Sequence, residues 1–467
     1  MKRLLLSIAL LCAATFTVHA ASEPKYNLIT ILTDDQAVWT IGAYGGPAGV
    51  TPNLDRLAAE GARFANAFVA TPVCSPSRAT YLTGRHGTQL GVVDWISDEE
   101  AEGGLGLPDG VVTWPQLLQQ VGWKTALVGK WHLGTQAQFH PTRRGYDHFF
   151  GFLGPGTAAM APVFDLPSGR TKLSGCSADL ITDDALKFIT ENRGKPFLID
   201  LHFREPHEPY GPMPKVDQDA IAALPIQAPD LAGLNRDKVE RDTRSYLAAV
   251  HAIDRNVGRL VEALKQQGLW ERTILLFTSD HGYSIGQHLV EGKGNAHWIA
   301  GGVRGPRRPN LWDLSLRVPL LVRWPGVTKP GMVVPQMVSN LDFYPTLLAM
   351  LGVRVPDDFK RDGMNVAPLL RGEASPGREM LFFQYDLHNT ASARLRGVRT
   401  ERWKYVRRFD AARLDELYDL QADPGELNNL LPGNPTLPIT PEIAKTRQNL
   451  DERLQTWMRS IDDPLLR

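Results

Sequence analysis

Short, nearly continuous apolar runs separated by amphipathic stretches constrain this chain more than any other feature. Residues 26–33, 125–128, 196–203, 273–278 and 318–322 are rich in Ile, Leu, Val and Phe. Between them, residues 53–60, 114–121, 178–192 and about 239–267 carry apolar side chains at helical spacing. Strands without polar alternation must be covered on both faces, so the pattern predicts an α/β fold with a large, mostly parallel central sheet flanked by helices. The Pro-rich stretch 206–234 and the irregular stretch 294–310 are expected to be surface loops over one edge of that sheet.

From about residue 378 the pattern changes. Residues 380–385, 393–399 and 403–409 read as successive strands with a turn at 399–402, followed by a helix over about 441–460. A smaller C-terminal antiparallel sheet plus helix is therefore expected over 378–467, after a main α/β domain over 21–377. At the other end, Lys2 and Arg3 precede an apolar run over 4–14, with Val18 and Ala20 at the small-residue positions of a cleavage site. Residues 1–20 thus read as a secretory signal peptide. The run is shorter than the roughly 20 residues needed to span a bilayer, so no stable membrane anchor is expected, and the mature protein is expected to be periplasmic or secreted. Lys plus Arg equals Asp plus Glu at 51 each, which leaves no summed field to hold nucleic acid.

The ends of the apolar runs carry the chemistry. Asp34-Asp35, Gly129-Lys130-Trp131-His132, Pro206-His207 and Asp280-His281 each follow one run, and in open α/β sheets ligands bind beyond the carboxyl ends of the strands. Two carboxylates about 4 Å apart repel by roughly 4 kcal/mol at an effective dielectric near 20, and a divalent cation removes that cost. Mostly carboxylate oxygen favours Ca²⁺ or Mg²⁺; the imidazole of His281 leaves Zn²⁺ and Mn²⁺ open. The alternative is that each acid pair merely caps a following helix.

Beyond the leader only Cys74 and Cys176 remain. A single disulfide between them is one reading, but the surroundings of Cys74 suggest another fate. Pro76 suits the first turn of a helix, Ser75 or Ser77 suits its cap, and Arg78 lies four positions after Cys74 on the same helical face. A helix start with an arginine beside it attracts anions.

The string Cys74-Ser75-Pro76-Ser77-Arg78, continued by residues 79–85, closely resembles the signature of type I, formylglycine-dependent sulfatases of the alkaline-phosphatase-like superfamily. Further blocks resemble the family in family order: 27–35, 51–55, 129–134, 206–207, 278–282, 317–320 and 416–420. The resemblance implies that a separate maturation enzyme converts Cys74 to formylglycine. It implies Asp34, Asp35, Asp280 and His281 as metal ligands together with the converted Cys74, and Arg78, Lys130, His132, His207 and Lys293 around the sulfate. The hydrated aldehyde would attack sulfur, His207 and Lys293 would meet the leaving oxygen, and His132 would take the proton that lets sulfate depart, a last step that a thiol cannot perform. The substrate implied is a sulfated small molecule or glycan.

The alternatives are a phosphonate monoester or phosphodiester hydrolase of the same superfamily, and a noncatalytic sulfoglycan-binding protein. The C-terminal strands resemble the family's four-stranded subdomain, which places 385–389 as a plausible substrate contact. Residues 295–310 look inserted, and their His297, Trp298, Arg304, Arg307 and Arg308 could touch substrate, with a solvated loop as the favoured reading.

Overall fold

The computed structural model describes residues 26–355, 362–410, 415–431, 433 and 438–467; the leader expected over 1–20 lies outside them. The apolar runs are strands. β1 (Asn27–Asp34), β2 (Ala62–Phe68), β3 (Lys124–Lys130), β4 (His148–Phe152), β5 (Phe197–Pro206), β6 (Thr273–Ser279), β7 (Leu320–Arg323) and β8 (Met332–Ser339) form one sheet with the short strand Arg317–Val318. β1 lies between β5 and β6, both parallel to it, and β3 and β4 extend the sheet in parallel beyond β5.

Every residue of β1, β5 and β6 is buried, as strands covered on both faces require. Alternation divides them between two apolar layers: Leu28, Leu198 and Ile274 face one side, and Ile29, Ile199 and Leu275 the other. The first layer is covered by α2 (Cys74–Thr83), α3 (Trp114–Gln120) and α6 (Phe343–Met350). The second is covered by α1 (Pro52–Glu60), α4 (Ser177–Asn192) and α5 (Arg236–Gln266), whose buried stripe runs through Val239, Tyr246, Val250, Ile253, Val257, Leu260 and Leu264. Asp254 on α5 accepts the free amides of Asn53 and Leu54, at 3.0 and 2.8 Å, so one helix caps the start of another.

Three features depart from the sequence reading. The run 318–322 is broken at Pro319, and β7 runs antiparallel to β6 and β2. Strands β2, β4 and β8 were not legible; β8 carries Pro335 inside it, tolerated where its register against β2 shifts. The stretch 206–234 contains a helix, Lys215–Ala222, rather than loop alone.

The smaller sheet is antiparallel in the order β9 (Leu381–Leu387), β10 (Ala393–Arg399), β11 (Trp403–Arg408) and β12 (Glu416–Asp419). α7 (Pro441–Ser460) packs Leu450, Leu454 and Met458 onto its Val398, Tyr405 and Leu417. Among the described residues no helix is long and apolar enough to cross a membrane.

Candidate active site

The carboxyl ends of β1, β3, β5 and β6 open beside the first turn of α2. A strand would send Asp34 and Asp35 to opposite faces, but Asp35 has φ 70°, and this left-handed step breaks the alternation so that both carboxylates serve one pocket. The turn is tied to the next strand: Asp280 donates its amide to Thr33 O at 3.0 Å, and Asp35 donates its own to Asp280 Oδ1 at 3.1 Å. His132, after β3, also has positive φ, at 60°.

Cys74 is the first residue of α2, and its cap, Val73, is extended with no side-chain hydrogen bond. The capping roles expected of Ser75 and Ser77 are not filled. Ser75 Oγ accepts from Ile96 N at 3.0 Å, and the Ser77 hydroxyl donates to the carbonyl of Asp280, so both serines fasten the helix to site loops instead. Cys74 and Cys176 are both free thiols, which sets aside the disulfide.

All ten side chains named from the sequence converge here. Cys74 Sγ lies 3.5 Å from Asp34 Oδ1, 3.4 Å from His281 Nε2 and 3.1 Å from Lys293 Nζ. Lys130 Nζ donates to Asp34 Oδ2 at 2.6 Å, and Lys293 Nζ to Asp35 Oδ1 at 2.6 Å. Arg78 grips Asp280 Oδ2 through Nε at 3.0 Å and donates through Nη1 to Lys130 O at 3.2 Å. His207 Nε2 stands 3.7 Å from Asp35 Oδ2. His132 donates Nε2–H to Ile96 O at 2.9 Å, which leaves Nδ1 as a bare acceptor without a partner.

The three carboxylates are interleaved with three cations, so repulsion alone does not demand a metal as the sequence argument assumed. The donor set does. One ligand atom from each of Asp34, Cys74, Asp280 and His281 lies within 4.8 Å of the rest. His281 Nδ1 faces the carbonyl of Gly282 at 3.1 Å and must donate to it. Its Nε2 then turns an electron pair toward Asp35 Oδ1 at 3.1 Å and Asp280 Oδ1 at 3.3 Å. Burial, with Lys293, pushes the His281 pKa down to about 3, so a second ring proton does not relieve that contact, whereas a cation would.

Burial pushes Asp34 upward, but Lys130, His207, Arg78 and Lys293 override it and hold its carboxyl well below the usual range. Asp280 is raised, because burial and the charge of Asp34 outweigh Arg78. Burial and Asp34 push the Cys74 thiol up to about 12, so as encoded it stays protonated. Burial, with Lys130, holds His132 well below 6.5, so this ring is neutral.

A cavity of about 220 Å³ opens onto Asp35, Cys74, His132, His207 and Lys293. Its outer wall holds residues the sequence reading missed or discounted: Trp95, Asn295, His297, Arg304 and Arg307. The inserted stretch is therefore a hairpin that walls the cavity rather than solvated loop alone, although Val303 and Arg304 stay exposed. His297–Trp298 pairs with Val290–Gly292, and His297 bridges Arg307 across the turn, which sets those two on one face of the hairpin while Arg308 turns to the Trp312 ring. Residues 385–389 do not line the cavity. Tyr385 OH, His388 N and Asn389 N all donate to Asp94, and Asn389 Nδ2 donates to Trp95 O at 2.6 Å, so they brace the wall from behind.

A family model described as Sulfatase matches residues 26–353, and one described as N-sulphoglucosamine sulphohydrolase, C-terminal, matches 308–456. An N-acetylglucosamine-6-O-sulfatase of Bacteroides thetaiotaomicron is 28% identical over 98% of this chain and 91% of its own length. The human N-acetylgalactosamine-6-sulfatase is 30% identical over 78% and 69%. A structure solved with its substrate D-glucosamine-2-N,6-O-disulfate superposes with a TM-score of 0.79 at 26% identity, covering 94% of this chain and 99% of that one.

Proposed function

The chain belongs to the sulfatase family and is a sulfuric ester hydrolase, and we propose that it removes sulfate from a carbohydrate ester using an aldehyde made from Cys74 and a divalent cation. The observation that carries this reading is the electron pair of His281 Nε2 turned onto two carboxylates beside Cys74. Asp34, Asp35, Asp280 and His281 would hold the ion, with the converted side chain of residue 74. A set of carboxylate oxygens with one imidazole suits Ca²⁺ or Mg²⁺, with Mn²⁺ and Zn²⁺ as the alternatives.

The raised thiol pKa argues against the encoded side chain acting as the nucleophile itself, since a protonated thiol is a poor one. With both groups in place, the hydrated formylglycine would supply an oxygen nucleophile and the cation, held by Asp34, Asp35, Asp280 and His281, would stabilise negative charge on it. Arg78 and Lys130 present fixed positive charge to the sulfuryl oxygens from positions already set by Asp280 and Asp34. Lys293, held charged by Asp35, meets the negative charge growing on the leaving oxygen, and His207 hands that oxygen its proton. His132 takes a proton at Nδ1, the nitrogen left bare by the bond to Ile96. A formylglycine-generating enzyme is the partner this chemistry needs, and the leader read over 1–20 supports maturation on the way to the periplasm or the exterior. The amino-sugar sulfates named for the relatives, and the Trp95 ring at the cavity mouth, support a sugar as the alcohol.

Two measurements test this. In active protein the peptide containing Cys74 should weigh less than encoded by the change from thiol to aldehyde; an intact thiol there ends the mechanism. Sulfate should be released from 4-methylumbelliferyl sulfate and from 6-sulfated N-acetylglucosamine or N-acetylgalactosamine faster than the matching aryl phosphodiester is cleaved. The reverse order would make the chain a phosphodiesterase.

A further inference from the structure

A second cavity, of about 560 Å³, adjoins the site cavity of about 220 Å³. Glu208, Glu291, His297 and Arg304 line both, so one wall of side chains divides them. Part of that wall is an ion pair, Arg304 Nη2 to Glu208 Oε1 at 3.0 Å, whose side chains are 57% and 39% exposed. An exposed pair of this kind is worth at most about 1 kcal/mol, so a ligand lying across the wall can displace it.

Resting on the sulfatase reading above, we infer that the second cavity receives an unsulfated sugar residue joined to the sulfated one, so that the substrate is an oligosaccharide rather than a single sulfated residue. The volume falls within the ordinary range for ligand pockets. Its far wall is one face of α5, where Lys238, Asp242 and Ser245 recur at helical spacing. Lys238 already bridges Asp242 and Glu291, and Glu291 accepts from Tyr210 OH at 2.8 Å. These groups offer both donors and acceptors, as sugar hydroxyls require, while Pro209 and Ile299 supply apolar surface for a ring face.

Charge decides against a second sulfate. Two cations, Lys238 and Arg304, stand against three carboxylates, Glu208, Asp242 and Glu291, and His297 is held neutral because burial and the two nearby arginines push its pKa down to about 4. The site cavity, by contrast, balances three cations, Lys293, Arg304 and Arg307, against three carboxylates, Asp35, Glu208 and Glu291, and sets Lys293 3.1 Å from the thiol.

The test compares matured wild-type protein on the best monosaccharide sulfate, on the same residue extended by one unsulfated sugar, and on 4-methylumbelliferyl sulfate. Extension should raise kcat/KM about tenfold, mainly through KM. Ser245→Trp and Val303→Trp, two exposed positions lining this cavity, should each cut that advantage below about threefold while the melting temperature holds. A sulfate added to the extending residue should lower kcat/KM. Sulfate release with no gain on extension overturns the inference alone, as does a gain that survives both tryptophans or grows with the second sulfate. No release from any substrate overturns the sulfatase reading and this inference with it.

Discussion

The centre and the rim of the cavity are built from the same kinds of charged side chain under opposite conditions. At the centre, Asp34, Asp35 and Asp280 face Lys130, Lys293 and Arg78 with almost no exposure to solvent. At the rim, Arg304 and Glu208 pair in contact with water. Buried charges repay their desolvation only when every partner is in place, whereas exposed ones lose little when a partner leaves. The centre is therefore a fixed template of charge, and the rim is a surface whose side chains can change at little cost to the fold.

Removing one central cation gives the largest effect expected of this contrast. Lys130→Met leaves Asp34 buried without its 2.6 Å partner, which should cost roughly 3–5 kcal/mol in melting experiments run with chelator. Sulfate release should fall by at least about 10²-fold, because fixed charge aimed at the sulfuryl oxygens is lost. A variant that keeps wild-type stability in chelator would show that the centre is as loosely coupled as the rim.

The pH profile comes next in size. Burial, with Lys293 and Lys130, pushes His207 below 6.5 even though Asp35 and Asp34 pull it upward. A proton donor with a lowered pKa loses its proton at lower pH, so kcat/KM should decline toward alkaline pH with a midpoint below 6.5. His132, held neutral by burial, stays ready to accept and should add no acid limb in the neutral range. His207→Ala should remove the alkaline decline and lower the maximum by about 10²–10⁴-fold. A decline unchanged in that variant would assign the proton to another group.

How much of this was legible in the sequence follows the same division. β1, β5 and β6 announce themselves because both of their faces are buried, and the residues that follow them must then meet at one sheet edge. Asp34, Asp35, His207, Asp280 and His281 were readable for that reason, Lys130 from the end of the apolar run that became β3, and Cys74 with Arg78 from the helix start that carries the family signature. β2 is only partly buried and β8 contains Pro335, so neither makes an apolar run. The rim was not readable, because whether Arg307 or Arg308 faces the cavity depends on a bridge to His297 ten residues earlier, and a one-residue slip would exchange them. Tyr385 was read as a substrate contact, but its hydroxyl is spent on Asp94, a partner nearly three hundred residues away in sequence.

The smallest effect should come from Arg304→Ala. Its guanidinium also donates to His297 Nδ1 at 3.2 Å, so the substitution removes two contacts from the dividing wall while leaving the centre untouched. Solvent already screens the pair with Glu208, and stability should change by less than about 1 kcal/mol, measured as the denaturation midpoint. His297 loses the neighbour that most opposes its protonation after burial itself, so its pKa should rise from about 4, and an NMR titration of that ring reads the shift directly. A loss of stability comparable to that of Lys130→Met would mean that the rim is part of the template and not a separate surface laid over it.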